Sequence, residues 1–291
     1  MDTKNQQYTK SSVTSKDGTK IGYRQMGSGP GVIIMHGGAN ASQHYMDLGT
    51  LLSDNFTVYI PDRRGRGLSG PFGEDYSMQK EVEDLDVLTA RTGAYNIFGL
   101  SSGALIALQA ALKLPAIRKA AIYEPPLDID NSIMKILSFM PRFDREIAEG
   151  KLPDATVTML KDFGIYFGVP SWITGLPRSL LVKLFSWYFS RESKKVKGDN
   201  VPFTVLIPSF HYDYQLVTEM QGTLENFKDV PAEVLLLGGS KSPSFLRNTL
   251  DALNEVLPNV QKFEFQDIGH SGPVNGSKPE LVAHELKRFF K

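Results

Sequence analysis

The chain has 291 residues, 41% of them hydrophobic and 22% charged, with 32 Lys and Arg balanced by 32 Asp and Glu. Such a composition describes a globule with a sizeable core, built as one large domain or as a domain carrying an inserted one. The balanced charge offers no basic excess to suggest nucleic acid or an anionic membrane. The absence of cysteine excludes thiol catalysis and disulfides.

The N-terminal stretch 1–7 is polar and lacks the apolar core of a secretory leader. With the absence of cysteine, this leads us to expect a cytoplasmic protein. Residues 8–15 and 20–26 read as a hairpin around Lys16, Asp17, Gly18 and Thr19. An apolar strand over 31–35 and a helix over 41–52 follow, then a strand over 56–60 and a helix over 77–91 whose acids are expected on its open face. The next run, 97–114, is long enough to be mistaken for a membrane span, but Ser101, Ser102, Gln109 and Lys113 interrupt it. It reads instead as a short buried strand over 95–98, a turn, and a nearly all-apolar helix over 104–114. A strand over 117–123 closes the first half.

Alternation stops after Glu124, Pro125 and Pro126. Up to about Val230 the sequence offers helical segments punctuated by Pro141, Pro153, Pro170, Pro177, Pro202 and Pro208, and no convincing strand. Strands are expected again over 233–237 and 260–265, and helices over 244–257 and 279–290. The prediction is an α/β protein with a mostly parallel, doubly wound sheet. Its core would comprise 1–125 and 230–291, and 126–229 would form an inserted helical cap. About half of the aromatic residues fall in that insertion, including both tryptophans, Trp172 and Trp187. Most must form its own core, and a few are expected to line an apolar pocket.

The chemistry centres on Gly99-Leu100-Ser101-Ser102-Gly103, placed between a predicted strand and a predicted helix. A chain with 26 glycines can contain G-x-S-x-G by chance, so the flanking context carries the argument. A sharp strand-to-helix turn would push the Ser101 hydroxyl out at the carboxyl edge of a sheet, beside the free N–H groups of a helix start. A serine hydroxyl needs a base within reach. Of the five histidines, His270 lies in a turn-rich loop after the last strand, at the same edge as the serine. His284, among charged helix residues, is expected to be solvated, and His44 and His211 are less well placed. His36-Gly37-Gly38-Ala39 follows the 31–35 strand, where glycine permits close approach of the backbone. The Gly38 and Ser102 amides could form a two-donor oxyanion hole, with Gly37 beside them in the substrate-binding loop. His36 is expected to orient that loop.

These segments resemble the α/β-hydrolase superfamily, in its cap-bearing branch of esterases, C–C hydrolases, cofactor-free haloperoxidases and hydroxynitrile lyases. The resemblance rests on His36-Gly37-Gly38, on Asp62-Arg63-Arg64-Gly65-Arg66-Gly67-Leu68-Ser69, on the Gly99 to Gly103 elbow and on Gly269-His270, in family order across most of the chain. It implies a structural, loop-tying role for the turn from Asp62 to Ser69. Serine at position 101 disfavours the aspartate-dependent relatives. The chain departs from the pattern in its acid, because the loop where the family usually carries one reads Gly238-Gly239-Ser240-Lys241-Ser242-Pro243. Lys241 there would oppose an imidazolium at His270. Glu124, ending the 117–123 strand, is the best substitute, since it reaches the same edge and keeps the order serine, acid, histidine. Asp213, Asp267, or no acid with Ser240 and Ser242 as weak orienters are the alternatives.

The expected function is a cofactor-free, metal-free serine hydrolase. It would cleave a small, apolar carboxylic ester through an acyl-enzyme on Ser101, with His270 moving the proton and Glu124 orienting it. Another reaction on the same Ser101–His270 pair, lyase or perhydrolase, is one alternative, and a catalytically weak ligand-binding pseudo-hydrolase the other. The partner is a small molecule, with neither nucleic acid nor a membrane span implied.

Overall fold

Continuous runs of β-branched and aliphatic residues, too short for helices, form the central strands of the computed structural model, which describes residues 8–164, 169–192, 196 and 198–291. The polar stretch 1–7 lies outside the described residues. The sheet has eight strands: β1 (Thr9–Thr14), β2 (Lys20–Met26), β3 (Gly31–Met35), β4 (Thr57–Pro61), β5 (Asn96–Leu100), β6 (Lys119–Tyr123), β7 (Glu233–Gly239) and β8 (Val260–Phe265). Their spatial order is β1-β2-β4-β3-β5-β6-β7-β8. The first two pairings, β1 with β2 and β2 with β4, are antiparallel, and all the others are parallel. The predicted hairpin is therefore the antiparallel margin of an otherwise parallel sheet.

Helices cover both faces. The helices α1 (Met46–Leu52), α2 (Met78–Thr92) and α3 (Ser102–Lys113) belong to the first half, and α11 (Ser244–Val256) and α12 (Pro279–Phe290) to the last part of the chain. Between β6 and β7 lie α4 (Ser132–Ile136), α5 (Met140–Ala148), α6 (Leu152–Asp162), α7 (Ser171–Thr174), α8 (Arg178–Glu192), α9 (Phe203–Leu206) and α10 (Phe210–Glu219). No strand occurs there among the described residues. One apolar core packs α2, α3, α11 and the insertion onto one face of the sheet, and a second packs α1 and α12 onto the other.

Two expectations need correction. The acids of α2 do not all lie on an open face, since Glu81 and Asp84 are buried. Arg63 Nε donates to Glu81 Oε1 at 2.9 Å, and Arg64 donates to both Asp84 oxygens at 2.7 Å. The arginines of the turn after β4 thus draw carboxylates inward that helical periodicity alone assigns to solvent. The segment predicted as a helix over 41–52 begins as a 3₁₀ turn, Ser42–Tyr45, before α1. There the Ser42 amide and hydroxyl are both held by Asp62 Oδ1.

Candidate active site

The register of the sheet brings the chemistry together. Leu100 at the end of β5 pairs with Tyr123 at the end of β6, and Tyr123 with Leu237 in β7. Ser101 and Glu124, each one residue further on, therefore leave adjacent strands at the same edge. The Ser101 amide donates to Tyr123 O at 3.0 Å, and the Glu124 amide to Leu237 O at 3.1 Å. Both residues have positive φ, 56° for Ser101 and 47° for Glu124. Such angles are costly for side chains with a Cβ, and at a strand end they re-aim the side chain out of the sheet.

The elbow at Ser101 is possible because its flanking glycines permit backbone contact. A Cβ on Gly99 would sit 2.3 Å from Gly103 O, and one on Gly103 would sit 2.5 Å from the carbonyl oxygens of Met35 and His36. Helix α3 consequently starts against β3 and β5, with its free N-terminal amides at Ser101.

His270 lies in the loop between β8 and α12. The Tyr123 hydroxyl holds this loop by donating to Gly269 O at 3.0 Å, and the Lys241 amide donates to Ile268 O at 2.9 Å. His270 Nδ1 lies 2.7 Å from Glu124 Oε2. The other oxygen, Oε1, accepts the Gly239 amide at 2.7 Å. Glu124 is fully buried, so both oxygens have found donors in place of water. As a carboxylate it can only accept, which puts the imidazole proton on Nδ1 and the lone pair on Nε2.

The other candidate acids are engaged elsewhere. Asp267 points into solvent and pairs with Lys241 Nζ at 3.0 Å, so the lysine expected to oppose His270 has its own counterion. Ser240 Oγ accepts the Asp267 amide, and Ser242 Oγ is buried. Asp213, on α10, is also buried and receives Arg63 Nη1 and Arg66 Nη2, each at 2.7 Å. It further accepts the Ser102 hydroxyl at 2.8 Å and the Ala39 amide at 3.2 Å. Burial acts to raise its carboxyl pKa, but Arg66 and Arg63 outweigh burial and hold it below the ordinary range. This link between α10 and the floor of the site joins residues up to 174 apart in sequence, and no local pattern announces it.

The loop after β3 lies opposite the elbow. Gly37, Gly38 and Ser101 face one cavity, while the Gly37 amide is taken by Tyr45 Oη at 3.1 Å. That amide is therefore already engaged, and Gly37 contributes its position in the loop and not a free donor. His36 is buried behind the loop. Its Nε2 accepts the Arg63 amide at 3.0 Å, and its Nδ1 donates to Gly37 O at 3.0 Å. Burial, then Arg66 and Arg63, push its pKa well below the usual 6.5, so it is a neutral brace. His284 is exposed and His211 pairs with Asp144 at 3.0 Å, both away from Ser101.

Above the sheet edge, between it and the insertion, lies an open cavity of about 630 Å³. Met159, Phe163, Phe185, Phe189, Ile207 and Phe210 line it, with Ser101 and His270 at its base. A second lobe of about 40 Å³ shares Gly38, Ser101, Phe163, Phe210 and His270, and is closed by Pro126, Leu137 and Phe245. Phenylalanines of the insertion do line the pocket. The two tryptophans do not: Trp172 is 69% exposed and Trp187 51%.

Known proteins resemble this chain along nearly its whole length. It is 25% identical over 282 residues to a cis-3-alkyl-4-alkyloxetan-2-one decarboxylase of Shewanella oneidensis, covering 94% of this chain and 86% of that one. An alpha/beta hydrolase from Sphaerobacter thermophilus superposes with a TM-score of 0.73 at 26% identity, covering 97% of this chain and all of the other. The naproxen esterase (carboxylesterase NP) of Bacillus subtilis shares the fold, with a TM-score of 0.64 at 14% identity over 98% of this chain and 92% of its own. The sequence profile of the alpha/beta hydrolase family matches residues 32–285, and the chain belongs to that family.

Proposed function

We propose that the protein is a serine hydrolase that cleaves an apolar carboxylic ester through an acyl-enzyme. The observation that carries this reading is the 2.7 Å contact from Glu124 Oε2 to His270 Nδ1, beneath a cavity that Ser101 and His270 both line. Ser101 Oγ attacks the ester carbonyl and gives its proton to His270 Nε2. Glu124 fixes the tautomer and balances the imidazolium. The Gly38 and Ser102 amides receive the oxyanion, and the Asp213 carboxylate, tied to Ser102 Oγ and the Ala39 amide, holds both segments in register. His270 returns the proton to the leaving alcohol, and water attacks the acyl-enzyme by the same route in reverse. Residues 126–229 act as the cap over this centre.

The unequal lobes suggest the substrate's shape. A bulky apolar group fits the lobe of about 630 Å³, and a much smaller group the lobe of about 40 Å³. The near full-length similarity to a decarboxylase of alkylated oxetan-2-ones supports a second reading. An oxetan-2-one is a strained cyclic ester with apolar arms: breaking its C2–C3 and O1–C4 bonds would release carbon dioxide and an alkene, whereas attack of Ser101 at its carbonyl followed by hydrolysis would release a hydroxy acid.

Labelling with a fluorophosphonate, followed by intact mass and peptide mapping, tests the proposal. Rapid modification confined to Ser101 is expected, with turnover of simple alkyl esters. A wild-type protein that is neither labelled nor active on esters would sink it. Release of carbon dioxide and an alkene from a dialkyl oxetan-2-one, in place of a hydroxy acid, would favour the second reading.

A further inference from the structure

Helix α8 is apolar on two sides, and among the described residues one of them packs into the fold while the other is exposed. Its inner stripe buries Leu181 and sets Phe185 and Phe189 into the wall of the large cavity. Its outer stripe runs Leu180, Lys183, Leu184, Trp187 and Arg191, the spacing of one helical face. Leu180, Leu184 and Trp187 are each more than half exposed. Of the nine large hydrophobic side chains described as exposed, seven lie between Trp172 and Val205.

The charges on this face have one sign. Lys183 and Arg191 are exposed, and the Arg191 guanidinium lies 4.3 Å from the centre of the Trp187 ring. The neighbouring acid, Glu192, is buried, where it accepts the Phe203 and Thr204 amides. On this face the described cations, Lys183 and Arg191, have no exposed acid on α8 beside them, whereas Arg178 at the start of the helix is paired with Glu146 at 2.7 Å. Outside α8 lies a groove bounded by Trp187, Tyr188, Arg191 and Phe203, and Tyr188 and Phe203 also line the cavity above Ser101. One layer of side chains separates the exposed face from the site.

We infer that the outer face of α8 docks on the surface of an anionic lipid bilayer. Leucine and tryptophan flanked by lysine and arginine suit the headgroup boundary, where the rings and aliphatic stems enter the apolar layer and the cations meet lipid phosphates. A soluble protein partner would need its own complementary acidic rim, whereas a bilayer supplies apolar and anionic surface together. Docking would turn the groove toward the lipid, so that an apolar ester could pass between Tyr188 and Phe203 without crossing water. That last step rests on the ester reading; the docking does not.

The test uses full-length Ser101→Ala, so binding is read without turnover. Trp172 and Trp187 are the chain's two tryptophans and report directly on this region. With vesicles of equal parts phosphatidylcholine and phosphatidylglycerol, co-sedimentation and a blue shift of tryptophan emission are expected. Binding to pure phosphatidylcholine should be at least tenfold weaker, and high salt should weaken binding to the anionic vesicles. Lys183→Glu with Arg191→Glu should lower anionic-vesicle affinity at least tenfold. Leu180→Ser with Leu184→Ser, in an otherwise wild-type chain, should abolish co-sedimentation yet leave its melting temperature and its hydrolysis of a water-soluble ester unchanged. No vesicle binding by the folded protein, or binding that survives both pairs of changes, overturns the inference. So does a dimer in solution that the leucine changes convert to monomer, since a second copy would then be what covers this face.

Discussion

Replacing Glu124 by Gln exchanges one carboxylate oxygen at the centre of the proposed triad for an NH₂ group and leaves the shape nearly unchanged. The Gly239 amide donates to Oε1, and that amide cannot turn away, because β7 is held in register with β8 through Gly239 and Phe265. The glutamine must therefore present its oxygen to Gly239 and its NH₂ to His270. Nδ1 then has to accept, the imidazole proton moves to Nε2, and the lone pair facing the nucleophile is lost. The flipped amide would set a donor against the Gly239 donor in a fully buried place, at a cost of about 1–3 kcal/mol. It would also leave the imidazolium without its counter-charge. Where an orienting aspartate has been made asparagine in a serine protease, the same tautomer error lowers kcat about 10⁴-fold, or ~5.5 kcal/mol of barrier. We expect a fall of about 10³ to 10⁴ in kcat here, the smaller figure reflecting turnover through the flipped minority. Steady-state hydrolysis of a p-nitrophenyl ester measures it, with fluorophosphonate labelling slowed in parallel and a melting curve to show that the variant folds. A folded variant that loses less than about tenfold would refute the assignment of Glu124 as the orienting acid.

Three further outcomes follow from the same structure. Asp213→Ala leaves the guanidiniums of Arg63 and Arg66 facing a buried gap; breaking such a cluster costs about 3–5 kcal/mol, read from the urea midpoint, and a loss under about 1 kcal/mol would contradict the account. Gly103→Ala places a Cβ 2.5 Å from two backbone carbonyl oxygens, so a penalty of at least about 1–3 kcal/mol and slowed labelling of Ser101 are expected; wild-type behaviour in both would mean the elbow is looser than described. His36 is kept neutral when folded, with its pKa pushed well below 6.5, so the unfolded chain takes up a proton that the folded one refuses. Its contribution is thus present above the unfolded pKa and is lost as pH falls below about 6.5 toward the depressed folded value. Stability should fall by about 2 kcal/mol more in wild type than in His36→Asn between pH 7 and 5, the slope approaching about 1.4 kcal/mol per pH unit only at the acid end. Parallel slopes would show that His36 is not held neutral.

The alternating apolar runs, the elbow around Ser101 and the glycine loop after β3 were all legible in the linear sequence, because each depends on neighbours a few residues away. The expected strands at 31–35 and 260–265 and the helix at 279–290 match the observed elements residue for residue. Glu81 and Asp84 look solvent-facing by helical period, yet arginines from the turn after β4 capture them. The insertion's aromatics divide in a way that residue type does not announce: Phe163, Phe185, Phe189 and Phe210 line the cavity, while Trp172 and Trp187 stand at the surface.

What the sequence determined by itself was the α/β alternation and the residue types brought to one sheet edge, since hydrophobic period and turn chemistry are local properties of the chain. Which carboxylate meets His270 was decided by tertiary structure. Glu124, Asp213 and Asp267 are equivalent as acids, and they differ because strand register sets Glu124 against His270, buried arginines take Asp213, and solvent exposure leaves Asp267 to Lys241. The pairings of Glu124 with His270 and of Asp213 with Arg63 and Arg66 join residues more than a hundred positions apart, and the closed sheet and the insertion packed on it bring them within a hydrogen bond of one another.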